Sequence, residues 1–369
     1  MLKSRLCIAF FAFAVGCAPA QKPLTDYVNP MLGTATLWDS VDLGFKPTKR
    51  TWGAEVFPGS SLPNAMVQVS PVTKFHSGAG YQYEDSVIYG FTHTNKGHWN
   101  LCHIPLLPVT GTPTPGDYCS PFSHERESAA PGYYQVFLDR YGVDAQLSST
   151  LRCAFHKYTY PAGAAASLLA DLQRSNEHVR AWDIRKEGDN VFAGWQQTGE
   201  KMYFYAVANR PVTGIEPVVE GDREVRIVRF GEGDGALELR IGFSFVSEKN
   251  ARENLEAEML GKSFAEVRSE ATATWNDLLG RIRVEGGTER EKGLFYSSLY
   301  RSFLWPALRS DVNGEFTDVD GKVINPGFRY YTGPSYWDDY RNKLILLGML
   351  APDVAADVIS SDTDKGEKR

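Results

Sequence analysis

The chain has 369 residues, of which 43% are hydrophobic and 23% charged, and its formal net charge is −6. That balance suits a folded protein of more than one domain and excludes a disordered chain or an integral membrane protein. With no long basic run it offers no footprint for a phosphate backbone, so no nucleic acid is expected as a partner, whereas 8 Trp, 18 Tyr and 20 Phe point to aromatic platforms.

The first segment, "MLKSRLCIAFFAFAVGCAPAQK", opens with two positive charges and an apolar run from Leu6 to Gly16. Such a run is too short to cross a bilayer and has the length of a signal-peptide core, so residues 1–20 are set aside from the fold. Cleavage is expected after Ala20 in "APA", or ahead of Cys17, because "AVGC" resembles a bacterial lipoprotein box. The second route makes Cys17 a lipidation candidate and limits membrane contact to a lipid anchor. Either route predicts export, to the periplasm or to the cell surface. Of the cysteines that follow, Cys102, Cys119 and Cys153 allow at most one pair and show no metal-ligand spacing.

Up to about residue 250 the pattern is of short strands. "NAMVQVSP", "YYQVFLD", "DAQLSST", "AFHKYTYP", "ASLLADL", "KMYFYAVAN", "REVRIVRF" and "LELRIGFSF" alternate or run apolar between Gly, Pro, Asp and Asn. They predict one large antiparallel β-domain. Within it, "IYGFTHTNKGHWNLCHIP" (88–105) gathers three histidines, a tryptophan and a cysteine. Three readings compete there: a metal site, a catalytic dyad, or the wall of a sugar pocket. Spacings of five residues turn His93, His98 and His103 to alternating faces of an extended strand, with no carboxylate among them, which disfavours a metal. Adjacent Cys102 and His103 point apart on a strand and disfavour a dyad. A pocket wall remains, with Trp99 offering an apolar face and His93 or His98 donating to hydroxyls. The competing structural reading has His93 bonded within the sheet and Trp99 merely packed.

Beyond residue 250 the composition favours helix. Ser263 and Glu266 fit a capping box ahead of Phe264, Val267, Ala271, Trp275, Leu278 and Leu279 at helical spacing. A second helix is expected over "REKGLFYSSLYRSFLWPAL", ending near Pro306, and a third over "SYWDDYRNKLILLGML", stopping before Pro352. The remainder, "DVISSDTDKGEKR", reads as a polar tail with no closing helix. Three helices with large apolar faces cannot cover one another, so further sequence beyond Arg369, or a partner, is expected to cover them.

Six ordered segments, "DYVNPMLGTA", "VFPGSSLPNAMVQVSPVT", "GAGYQYEDSVIYGFTHT", "FHKYTYP", "LYRSFLWPALRSDVNGEF" and "YYTGPSYWDDYRNKLILLGML", resemble glycoside hydrolase family 92 from about Asp26 to Asp357. The resemblance implies calcium-dependent, inverting exo-α-mannosidases acting on mannose-containing glycans. It also implies a mainly β fold, with an antiparallel β-sandwich (21–250), a helical linker (251–284) and the first helices of a truncated (α/α)6 barrel (285–369), the mannose pocket lying between sandwich and barrel. The residues resembling the family's general acid and base, and most of its calcium ligands, are expected beyond residue 369. Inversion needs two carboxyl groups flanking the bond, so the chain alone is expected to be inactive.

Site residues follow from the same resemblance. In "YWDDYR", Trp337 and Asp338 match the family's Trp-Asp at the start of a barrel helix, which implies that Asp338 binds mannose hydroxyls; Arg341 stands three residues on, on the same helix face. The plain alternative is a surface pair of Asp338 and Arg341. Trp99, His93 and His98 lie on a loop that reaches the pocket in the family. Here "NKGHWNLCHIP" departs from the usual Gly and Ser followed by an acidic residue, which leaves linkage preference open. "FPGSSLPN" reads as a structural corner under the pocket. A rival reading is a non-catalytic glycan-capture lipoprotein that uses the same wall without acid or base.

Overall fold

The computed structural model describes residues 22–37, 44–46, 56–96, 99–233, 235–333 and 335–368, with only the main chain described at 95, 96, 99, 100 and 338. Two antiparallel sheets dominate. In chain order their strands are β1 (Ser60–Ser61), β2 (Gln68–Val72), β3 (Gly90–Thr92), β4 (Leu106–Val109), β5 (Glu127–Ala130), β6 (Tyr133–Leu138), β7 (Val143–Ser149) and β8 (Cys153–Thr159). There follow β9 (Ser167–Ala170), β10 (Ala181–Gly188), β11 (Val191–Gln197), β12 (Lys201–Ala208), β13 (Val212–Glu220), β14 (Arg223–Phe230) and β15 (Leu237–Ser244). The seven-stranded sheet runs β1-β2-β3-β4-β9-β14-β13, and the eight-stranded sheet runs β10-β11-β12-β15-β8-β7-β6-β5.

Their facing sides form the main core, with Phe91, Leu107, Tyr134, Leu147, Tyr158, Phe204 and Ile227 fully buried. The alternation that places them there is direct in "KMYFYAVA", where Met202, Phe204, Ala206 and Ala208 point inward and their neighbours are half-exposed. The corner read in "FPGSSLPN" is tight. A Cβ on Gly59 would stand 2.0 Å from the Val69 carbonyl oxygen, so only glycine lets this turn lie against β2.

The outer face of the eight-stranded sheet is covered by α1 (Glu248–Glu258) and α2 (Phe264–Leu279). Leu255, Met259, Phe264 and Val267 pack there against Tyr133, Cys153 and Phe155. Gly242 of β15 makes the contact close, since a Cβ there would lie 2.1 Å from the Ala251 carbonyl oxygen. The expected capping box forms: the Ser263 hydroxyl accepts from the Glu266 N–H and the Glu266 side chain reaches back. A second box, Thr288 with Glu291, starts α3 (Glu289–Ser302).

Main-chain and amide contacts lock the segment after α3 to the end of the sandwich. Asn64 N–H donates to Phe303 O at 2.6 Å and Leu308 N–H donates to Asn64 O at 2.9 Å. The Asn64 side chain donates to Pro306 O at 2.8 Å, Gln68 to Leu304 O at 2.6 Å, and the Trp275 indole to Ser61 O at 2.7 Å. Buried Asp311 accepts from Ser244 Oγ (2.7 Å), Asn250 Nδ2 (2.9 Å) and Asn254 Nδ2 (2.6 Å). Half-buried Glu258 accepts from Arg152 Nη1 at 2.6 Å, and Arg152 Nε also donates to Ser310 O at 2.8 Å.

Three expectations are corrected towards the end of the chain. The helix expected over 335–350 is two pieces, α4 (Tyr336–Asp339) and α5 (Lys343–Leu350), because Asn342 departs from helical geometry at φ −134° and ψ −26°. The segment read as a polar tail is instead the 16-residue α6 (Pro352–Glu367), started by a proline in its first turn, where the missing N–H costs no bond. Its buried stripe is only Val358 and Ser361, and Ser361 Oγ accepts from Tyr331 N–H at 3.0 Å. The second helix ends at Ser302, ahead of the expected Pro306. Trp337, Ile345, Met349 and Ile359 remain exposed on the terminal helices.

Candidate functional site

The sandwich end that faces the helices gathers three segments, 99–104, 171–180 and 197–201, joined by hydrogen bonds. Gln196, fully buried, ties them: its Oε1 accepts from Ile104 N–H at 2.8 Å and its Nε2 donates to Leu172 O and Arg174 O at 3.0 and 2.9 Å. Ser175 Oγ adds a bond to Leu101 O at 2.6 Å. Cys102 and Ile104 take left-handed φ of 53°, an uncommon state for these residues that turns the chain sharply around His103. The strand character read through 88–105 therefore stops at Asn100.

His103 is buried at the centre of this unit. Its Nδ1 lies 2.8 Å from Thr94 Oγ1, its Nε2 is 3.0 Å from Thr198 Oγ1 and 3.4 Å from Glu177 Oε2. Thr198 Oγ1 also donates to Glu177 Oε2 at 2.5 Å. These bonds, that from His103 foremost, hold the Glu177 carboxyl down at about 2 although its side chain is 41% exposed. Glu177 is thus a fixed, charged acceptor with a face to solvent. It stands on the wall of a polar cleft of about 760 Å³ that Arg174, Arg180, Trp182 and Arg223 also line. On the helical side, Arg309 pairs with Glu200 at 3.2 Å and lies over Phe245, and Tyr336 Oη donates to Asp362 at 2.6 Å, which pushes the phenol up to about 12.

The residues singled out in the sequence are dispersed. His93 follows Phe91 by two positions, and period two turns both inward. Its ring has no accessible surface, its Nε2 is 3.0 Å from His156 Nε2, and burial drives its pKa to about 3. The structure therefore places His93 in the inter-sheet core and not on an open wall. His98 and Cys17 lie outside the described residues. Trp99 pairs with Lys96 in a short hairpin, its side chain outside the description, as is that of Asp338 in α4. Trp337 is 87% exposed, and Arg341 Nε donates to Tyr340 Oη at 3.0 Å. Glu177, Thr198, Arg174 and Arg180 were not read from sequence. The signal for Glu177, Arg174 and Arg180 was "DLQRSNEHVRAW", a polar loop directly after an apolar strand, whereas none marked Thr198.

Cys102, Cys119 and Cys153 form no disulfide with one another. Among the described residues no three His, Cys, Asp or Glu side chains converge as metal ligands would. No chemical step is assigned to a calcium ion.

Comparison with known proteins finds the glycosyl hydrolase family 92 N-terminal domain over residues 27–254 and the family 92 catalytic domain over residues 250–369. A family GH92 alpha-mannosidase from Bacteroides thetaiotaomicron has 26% sequence identity and a TM-score of 0.85 over 95% of this chain and 50% of its own. The same enzyme is known in complex with mannoimidazole, at a TM-score of 0.84. A family GH92 inverting mannosidase from Bacteroides thetaiotaomicron VPI-5482 has 25% identity and a TM-score of 0.79 over 93% of this chain and 48% of its own. An uncharacterized secreted glycosidase of Arthroderma benhamiae is 24% identical over 344 residues, 78% of this chain and 42% of that one. The chain thus spans about half the length of these relatives.

Proposed function

The chain belongs to glycosyl hydrolase family 92, and from that premise we propose that it is the amino-terminal part of an exported α-mannosidase that removes mannose, with inversion, from α-mannosides of N-glycans or mannans. The observation that carries the reading is the likeness to a family GH92 alpha-mannosidase, at a TM-score of 0.85 over 95% of the chain. Export rests on the signal-like residues 1–20 and on the secreted fungal relative. Lipidation at Cys17 is part of the same proposal.

In this reading the 369 residues supply a wall of the sugar site. Glu177 stays ionised and immobile, so it accepts hydroxyl hydrogen bonds without an ordering cost. Asp338, at the start of the terminal helices, is the second acceptor, and Trp99 and Trp337 are aromatic faces for a sugar ring. The general acid and base, about 6.5 to 9.5 Å apart in an inverting enzyme, come from family sequence that these residues do not supply. Calcium, if the whole enzyme uses it, is held there too.

The test is direct. The purified chain without residues 1–20 is expected to bind methyl α-mannoside and to release no nitrophenol from an aryl α-mannoside. Asp338→Asn is expected to weaken that binding about tenfold, the loss of one charge-assisted hydrogen bond. Hydrolysis by the pure chain would overturn the assignment of acid and base, and unchanged binding by the variant would remove Asp338 from the site.

A further inference from the structure

The cleft beside Glu177 carries charge that a neutral mannoside does not require. Three guanidinium groups line it, from Arg174, Arg180 and Arg223, with Glu177 as the carboxylate on its wall. Two of the three have structural work. Arg223 Nη2 donates at 2.7 Å to Asp171, whose side chain is fully buried, and its Nη1 donates to Pro115 O at 2.8 Å. Arg174 lies over the rings of Phe75 and Tyr89, 4.6 and 5.2 Å from their centroids, and donates to Tyr118 Oη at 3.2 Å.

Arg180 is different. It is exposed in the cleft, and among the described residues no carboxylate pairs with its guanidinium. Its main chain is fixed, the N–H donating to Gln197 O at 2.8 Å, so the side chain springs from a rigid base. Glu177 lines the same cleft with its Oε2 held by Thr198 and His103, and among the described residues no ion pair joins it to Arg180. Asp171 is likewise committed, beneath Arg223. Three guanidinium groups thus stand against two carboxylates, Glu177 and Asp171, an excess of one positive charge on a chain whose net charge is −6.

Planar guanidinium groups grip oxyanions through paired N–H bonds, and a neighbouring cation strengthens the grip in a partly desolvated cleft. We propose that this cleft is a subsite for an oxyanion, phosphate or carboxylate, carried by the saccharide that the sandwich end receives, with Arg180 as its principal ligand and Arg174 beside it. The proposal rests on the reading of this end as a glycan site and adds the chemical class of the glycan: an acidic one. Glu177 on the opposite charge sign gives the cleft a polarity. Sugar hydroxyls go to the carboxylate side and the anionic substituent to the arginine side.

Isothermal titration calorimetry on the 369-residue chain tests this with four probes: inorganic phosphate, glucuronic acid, glucose and methyl α-mannoside. Phosphate or glucuronate is expected to bind, and glucose not; which of the two anions binds more tightly names the source of the oxyanion. Raising salt from about 0.05 to about 0.5 M is expected to weaken the anion several-fold, as screening requires of an exposed ion pair. Arg180→Ala is expected to weaken it about tenfold, and Arg180→Lys less, because the charge remains but the paired geometry does not. Methyl α-mannoside should bind both variants as it binds the parent. Failure of both anions to bind, or equal binding by Arg180→Ala, overturns the subsite. Loss of mannoside binding with anion binding intact instead overturns the mannosidase reading.

Discussion

Acid is expected to destabilise the sandwich before its ordinary carboxylates titrate, because His93 and His156 are held neutral in its core. Neither ring has accessible surface, and their Nε2 atoms are 3.0 Å apart, so one N–H fills the gap and a second has no acceptor. His156 Nδ1 is taken by Tyr158 Oη at 2.5 Å. Burial lowers His93 from 6.5 to about 3 and moves His156 the same way, its neighbour's charge adding to the effect. The unfolded chain takes up these protons below about pH 6.5 and the folded chain does not, so their contribution is complete above that pH and is lost as pH falls towards 3. At a pH of about 4.5 His93 alone removes about 3 kcal/mol, a large part of the stability of an ordinary domain.

Other groups titrate in or near this window. Glu177, lowered from 4.5 to about 2, loses its contribution only below 4.5. Asp171 and Asp311, raised by burial, act in the opposite sense. Comparison with a variant cancels both. His156→Phe removes one titrating ring and costs about 1–3 kcal/mol at neutral pH, since His93 and Tyr158 lose a partner. Its urea midpoint, followed by tryptophan fluorescence, is expected to fall less steeply from pH about 6.5 to about 4.5 than that of the parent. Equal slopes for the two proteins would refute the reasoning.

Two further perturbations address the junction of sheet and helices. Asp311→Ala removes the acceptor of the Ser244 hydroxyl and of one amide N–H each of Asn250 and Asn254, whose other N–H groups keep Glu315 and Phe243 O, and is expected to cost on the order of 3 kcal/mol in chemical denaturation; a loss under about 1 kcal/mol would mean that water or a neighbour replaces the carboxylate. Gly242→Ala puts a methyl group where the Ala251 carbonyl oxygen stands, so α1 must move off the sheet, at about 1–3 kcal/mol or more and with a lower melting temperature. An unchanged melting point would show that the helix is not seated as described.

Much of the sandwich was legible because its strands obey one rule. "KMYFYAVAN" buries alternate residues, "REVRIVRF" and "LELRIGFSF" do so over part of their length, and each is a strand in the structure. The hairpin of β10 and β11 was not foreseen. β10 forms an edge of the eight-stranded sheet, and its Arg185, Lys186 and Glu187 are exposed, so no alternating apolar signal marks it. Likewise α6 was missed because burying one valine and one serine leaves no apolar stripe to read, whereas α2 buries six side chains and announces itself. The site was least legible. Glu177 and Thr198 are 21 residues apart and meet only through the pairing of β11 with its neighbours and the turn of Gln196, a tertiary fact with no local pattern.

The seam between sandwich and helices has a consequence for how such proteins can be recombined. Asn64 and Gln68 address the carbonyl oxygens of Phe303, Leu304 and Pro306, atoms that every residue type presents alike. The alignment of the two parts is thus written in main-chain atoms on one side and, on the other, in the main chain of Asn64 and two amide side chains. A chimera that joins this sandwich to another relative's helices should keep its interdomain geometry through wide sequence change in the grafted segment, provided that the two amides travel with the sandwich; exchanging them for aspartate and glutamate would set oxygen against oxygen and unseat the graft.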